Sequence, residues 1–122
     1  MEHRKGQFRE LIAWQRAYDL VLEVYRLTKT FPDDEMYGLV QQVRRAAVSV
    51  PSNIAEGWGR GSTKEYIRYL CIARGSLYEL ETQLTLAADL GYVPANHDVY
   101  SLVDETSRLL NDLIRRLREK PQ

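Results

Sequence analysis

Apolar residues recur at alternating steps of three and four in four separate stretches of the chain, the spacing that lines one face of an α-helix. In the first, over about 8–29, Leu11, Trp14, Tyr18, Val21, Tyr25 and Thr28 form the stripe. Leu20, Val24, Leu27 and Phe31 widen it, and Pro32 ends it. The second, over about 34–58, carries Met36, Leu39, Val43, Ala46, Val50, Ile54 and Trp58. Asp33 suits its N-cap, and Asp34 and Glu35 its first turn, where the helix dipole favours acids. This spacing runs straight through Pro51, whose ring crowds the carbonyl of Ala47 and which has no N–H, so one kinked helix is predicted rather than two helices and a loop. The third, over about 63–90, opens on the capping box Ser62-Thr63-Lys64-Glu65. Tyr66, Leu70, Ala73, Leu77, Leu80, Leu84 and Ala87 then keep the strict alternation of a bundle seam, and Gly91 and Pro94 close the element. The fourth, over about 96–119, has Val99, Leu102, Thr106, Leu109, Leu113 and Leu117. No stretch alternates like a strand and no segment repeats. The pattern predicts an all-α protein: one domain over 1–122, an antiparallel up-down-up-down four-helix bundle with a proline kink in its second helix.

Composition narrows the chemistry. No apolar run approaches the ~18 residues of a membrane span. The opening MEHRKGQFRE has no apolar signal core, so a cytoplasmic protein without membrane contact is expected. Cys71 stands alone, which excludes an internal disulfide; on an apolar helix it reads as a small core residue. The two histidines, His3 and His97, follow no Glu at the spacing of di-iron bundles, and no Cys-His pair has zinc spacing, so neither metal nor cofactor is expected. His97 reads as a solvated loop residue. Ser49, Ser52 and Cys71 have no histidine placed beside them, and the chain reads as a non-enzyme. A catalytic alternative needs an acid–base pair built from Glu56, Tyr66 or their neighbours.

Charge changes the picture more. The chain has 17 basic and 17 acidic residues. In an antiparallel bundle, however, residues 1–18, 48–72 and 108–122 share one end, with twelve bases against six acids, for +6. The rest has five against eleven, for −6, and no Lys or Arg occurs from Gly75 to Ser107. A local patch binds phosphates whatever the total charge. The candidate nucleic-acid-binding residues are therefore Arg4, Lys5, Arg9, Arg60, Lys64, Arg115, Arg116, Arg118 and Lys120. In the third helix Lys64 and Arg68 come early and Glu79, Glu81 and Asp89 late, against the dipole at a few tenths of a kcal/mol per charge, an order that points to function or assembly.

The stretch RRAAVSVPSNIAEGWGRGS, residues 44–62, concentrates the unusual residues. Ser52 and Asn53 are placed to serve the carbonyl freed by Pro51, and Ser49 to bond back one turn. Ala46, Ala47, Ala55 and Gly57 leave room for a neighbouring helix, with Gly75 as the counterpart in the third helix. Gly57, Gly59 and Gly61 either stop the second helix for a tight reversal or, beside Arg60 and Lys64, expose helix-start amides to an anion.

These residues carry a resemblance. FP-x-x-E-x-Y-G-L falls on Phe31, Pro32, Glu35, Tyr37, Gly38 and Leu39. A second block falls on Gln42, Arg45, Ala46, Ala47, Ser49, Asn53, Ile54, Ala55, Glu56 and Gly57, and a third on Ile72, Ala73, Gly75, Ser76, Leu77, Glu79, Leu80 and Glu81. Together they resemble the four-helix bundle proteins encoded by intervening sequences of 23S ribosomal RNA genes. The resemblance implies an antiparallel bundle assembled as a homopentamer. A related branch, the accessory variability determinant of diversity-generating retroelements, binds nucleic acid and a reverse transcriptase through a basic pentamer; the present chain departs from it in being neutral. Two functional expectations follow. One is an RNA- or DNA-associated oligomer using the basic pole. The other is a scaffold for a partner protein, since eight tyrosines and two tryptophans exceed what a small core needs.

Overall fold

The computed structural model describes residues 7–120, and within them the chain forms four α-helices and no strand. They are α1 (Ile12–Thr28), α2 (Leu39–Trp58), α3 (Thr63–Asp89) and α4 (Val99–Glu119), with single 3-10 turns at Phe8–Glu10 and Asp33–Glu35. The seam of α3 shows why these elements associate. Leu70, Ala73, Leu77, Leu80, Leu84 and Ala87 are all fully buried, and each such leucine contributes on the order of 2 kcal/mol of transfer energy. Each helix packs on its neighbours in chain order, α4 closes back on α1, and the diagonal pairs do not approach. α2 and α3 form the most extensive pair.

Side-chain contacts give the helix directions. Ser49 meets Ser76, while Gly57 meets Tyr66 and Tyr69. Cys71 meets Arg118, Arg74 meets Asn111, and Tyr100 bonds the Leu84 carbonyl. Arg16 meets Glu105, and Glu23 meets His97. In every couple the number rises on one helix as it falls on the other. α2/α3, α3/α4 and α4/α1 are thus antiparallel, and three reversals leave α1 and α2 opposed as well.

The apolar stripes were legible to different degrees. In α1 the buried face is Ala13, Ala17, Leu20, Val24, Leu27 and Thr28, whereas Tyr18 and Tyr25 lie outside. The aromatic stripe that the spacing marks as core is thus its half-exposed flank. In α4 the seam is Val99, Val103, Thr106, Leu110, Ile114 and Leu117, so the face is turned about one position, near 100°, from Leu102, Leu109 and Leu113. The two buried threonines satisfy their hydroxyls on the preceding turn: Thr28 donates to the Val24 carbonyl (2.8 Å) and Thr106 to that of Leu102 (2.7 Å).

The helix ends also depart from expectation. Asp33, Asp34 and Glu35 form the 3-10 turn rather than the first turn of α2, which starts at Leu39 behind the N-cap Gly38. The acid that serves α2 is Glu35: its carboxylate accepts from the Leu39 amide (3.3 Å) and from the Tyr92 hydroxyl (3.0 Å). That hydrogen bond holds the Tyr92 phenol above its ordinary range. At α3, Ser62 Oγ accepts from the Glu65 amide (3.1 Å), but the Glu65 carboxylate turns to Arg68 instead of closing the box. The far end of α3 is a Schellman motif, with Tyr92 N–H on the Ala87 carbonyl and Gly91 N–H on that of Ala88. His97 is no solvated loop residue. Its Nδ1 accepts from the Val99 amide (3.0 Å) at the start of α4, and its Nε2 lies 3.8 Å from Glu23 of α1.

α2 is helical without interruption from Leu39 to Trp58, with Pro51 buried inside it. Asn53 Nδ2 donates to the Ser49 carbonyl (2.8 Å) and to Ser49 Oγ (2.9 Å), and Ser49 Oγ shares a 2.8 Å hydrogen bond with Ser76 Oγ of α3. The polar residues near the proline therefore tie α2 to α3. Gly57 makes that approach possible. A Cβ there would lie 2.7 Å from Tyr69 Cβ and 3.2 Å from the Tyr66 carbonyl. Gly75 is not its counterpart: it faces open space, with nothing within 4 Å of an added Cβ.

Candidate nucleic-acid interface

The turn Gly59–Ser62 delivers the chain from α2 into α3 and sets the geometry of the basic end. Gly61 adopts φ +81°, a conformation that L side chains rarely take, and Ser62 then caps α3. Lys64, Arg68 and Ile72 follow on the exposed side of α3. Arg118, near the end of α4, reaches across to them: its Nη2 lies 3.7 Å from Cys71 Sγ. Lys64, Arg68, Cys71, Ile72 and Arg118 line one shallow groove of about 540 Å³. Its bases are almost unopposed. Arg68 pairs with Glu65 (3.1 Å), while Lys64 and Arg118 form no ion pair among the described residues. Cys71 is half-buried, packed against the core on one side and forming a wall of this groove on the other.

Beside the groove, Tyr69 lies between two guanidinium groups. Arg60 stands 4.9 Å and Arg68 4.6 Å from its ring centroid, and Arg60 also donates to the Tyr69 hydroxyl (2.6 Å) and to Glu56 (2.7 Å). The pairing with Arg60 occupies Glu56. Burial pushes the Tyr66 phenol up to about 12, so it keeps its proton at neutral pH, and its hydroxyl has no hydrogen-bond partner among the described residues. Among the described residues Glu56 and Tyr66 share no hydrogen bond.

The remaining candidates disperse. Arg4 and Lys5 lie outside the described residues. Arg9 sits in the first 3-10 turn over the Phe8 ring (5.9 Å). Arg115 is engaged by Asp112 (3.3 Å) and Glu119 (3.8 Å). Arg116 donates to the Asp112 carbonyl (3.4 Å) and, two residues from Arg118, points about 200° away from it. Lys120 follows α4 and is exposed. The structure therefore gathers Lys64 and Arg118, adds Arg68, which the candidate set lacks, and places Arg60 next to them behind Tyr69. The early basic residues of α3, set against the dipole, were the signal that pointed to Arg68.

The described residues thus form a four-helix bundle with a basic groove beside the start of its longest helix. Among the described residues no group of side chains could hold a metal ion, and no helix is long and apolar enough to cross a membrane. The profile of the 23S rRNA-intervening sequence protein family matches residues 9–112, and the chain belongs to that family. A solved structure of similar fold is a protein of unknown function from the S23 ribosomal protein family of Bacteroides thetaiotaomicron VPI-5482. It is 20% identical, with a TM-score of 0.78 over 85% of this chain and 96% of that one. No curated protein matches the chain.

Proposed function

We propose that the protein is a non-catalytic, self-associating bundle of the cytoplasm that binds RNA phosphates through the groove between the start of α3 and the end of α4. One observation carries this reading: Lys64, Arg68 and Arg118 converge on a groove whose only acid among the described residues is Glu65, at the positive end of a 27-residue helix. Membership in a family named for an intervening sequence of ribosomal RNA supports RNA over DNA. Copies joined as a homo-oligomer, a pentamer by the family resemblance, multiply the basic face and raise affinity for a long polyanion. The test is a titration of structured RNA with the wild-type protein and with Lys64→Glu/Arg118→Glu, at ~50 and ~200 mM salt. The wild type is expected to bind with strong salt dependence. The variant should bind more weakly, with a salt slope reduced by about one per lost phosphate contact. Equal binding by both proteins refutes the groove.

The exposed aromatics favour a second reading, a scaffold for another protein: Tyr37 is 86% exposed and Met36 beside it 54%. Partners captured from nuclease-treated lysate, absent RNA binding, decide for that reading.

A further inference from the structure

We infer that the outer face of the second half of α3 is the docking surface for the α1–α2 edge of a second copy of this chain, so that copies join head to tail. This names the contact behind the self-association proposed above and rests on that part of it alone. α3 has a second stripe facing away from its seam. Leu86 and Leu90 are 49% and 50% exposed, and Glu79 lies one heptad before Leu86. Tyr78, on the same side, is 48% exposed. Over this second half of the helix the charge is of one sign. Glu79 and Asp89 form no ion pair among the described residues, and the chain offers no base from Gly75 to Ser107.

The α1–α2 edge is its complement. A groove of about 430 Å³ runs along it, with Tyr25, Met36, Tyr37 and Val48 in its walls and Arg44 and Arg45 as its only charges among the described residues. Arg44 is fixed within the protomer, donating through Nε to Thr28 Oγ1 (2.8 Å) and standing 4.5 Å over the Tyr25 ring. Arg45 is exposed and forms no ion pair among the described residues, leaving it available to an acid of another copy. Two copies of this half-face brought together would oppose like charges, so a symmetric two-fold contact centred on it is disfavoured. Apolar-basic against apolar-acidic satisfies both surfaces.

Height along the bundle agrees. The Ser49–Ser76 contact sets the antiparallel register, and counting back along α2 while counting forward along α3 places Leu39–Val48 level with Leu77–Leu86. The groove and the acidic-apolar stretch thus lie at one level on the same molecule. A head-to-tail contact between surfaces at one level rotates successive copies without a rise, the condition for a closed ring rather than a filament.

The test is light scattering of the wild type, Leu86→Glu, Arg45→Glu, Glu79→Arg and the Arg45→Glu/Glu79→Arg double variant at ~10–100 μM, with far-UV circular dichroism to check the fold. All three positions are exposed in the protomer, so the fold should be kept. The wild type is expected to be an oligomer. Each single variant should dissociate, its association weakened about tenfold or more, and the double variant should regain mass. A wild type that stays at 14.2 kDa overturns self-association and this contact together. An oligomer whose mass is unchanged in Leu86→Glu and Arg45→Glu overturns the contact alone.

Discussion

Gly57→Ala is a one-carbon change whose cost can be worked from the geometry. The new methyl carbon would stand 2.7 Å from Tyr69 Cβ and 3.1 Å from Tyr66 Cδ1. Relaxed carbon contacts lie at roughly 3.5–4.0 Å, so about 1 Å of separation is needed. Tyr69 Cβ is fixed to the backbone of α3 and cannot swing aside, and the Tyr66 carbonyl at 3.2 Å is backbone itself. α2 and α3 must therefore part where their contact is closest. Overpacking of this kind costs about 1–3 kcal/mol, and the better helix propensity of alanine returns up to about 1. The net loss is about 1–2 kcal/mol, or a Tm lower by roughly 3–8 °C for a domain of this size. The assay is thermal unfolding by circular dichroism in dilute protein at matched concentration, because self-association would raise Tm by mass action. Gly75→Ala is the internal control. The same atom is added to an interior helix glycine, but into open space, so it should stabilise by about 0.5–1 kcal/mol. A Gly57→Ala protein at least as stable as the wild type refutes the close approach of the two helices.

Other outcomes follow from the same contacts. Ser49→Ala removes the hydroxyl that meets both Ser76 and Asn53 and should cost about 1 kcal/mol, while the Ser49→Ala/Ser76→Ala pair should cost less than the two singles combined. Pro51→Ala should keep the helix content and alter the bend or the oligomeric mass; an unchanged mass and Tm would make the proline incidental. The Tyr66 phenol titrates near 12 in the folded protein and near 10 unfolded, so between those values the unfolded state binds fewer protons and stability falls as pH rises. Tyr66→Phe should flatten that loss in alkaline denaturation and remove the last phenol to ionise in an ultraviolet titration. Identical alkaline curves for the two proteins would show that Tyr66 titrates normally.

How much was legible in the sequence depended on how many stripes each helix carries. α3 has one aliphatic seam, and Leu70 through Ala87 fall inside as the spacing demands. α1 has two adjacent stripes. Spacing does not choose between Leu11-Trp14-Tyr18-Tyr25 and Ala13-Ala17-Leu20-Val24. Packing does: alanines let a neighbouring helix approach, and tyrosine hydroxyls need water or a partner. Gly38 decided the start of α2, where three acids imitate a first turn. The site was legible as an end of the bundle and not as a face. Charge counting placed Lys64 and Arg118 on one pole together with Arg115 and Arg116, but only side-chain direction separates bases that converge from those tied to their own helix. The cap made by His97 has no local signature, since a histidine bonding an amide two residues on looks in sequence like any loop histidine.

Both tryptophans of the chain sit at the basic end. Trp14 stacks on Tyr18 near the start of α1 (5.1 Å between ring centroids), and Trp58 meets Tyr66 edge-on at the end of α2 (6.0 Å). The opposite end has no tryptophan: its aromatics include Tyr25, Phe31, Tyr37 and Tyr92. Light absorbed at 295 nm therefore excites only one pole of the molecule. Emission there reports what happens around the α2–α3 turn, without any label, while events at the Arg45 groove leave it dark. A single cuvette can thus distinguish a ligand arriving at one end from a subunit arriving at the other.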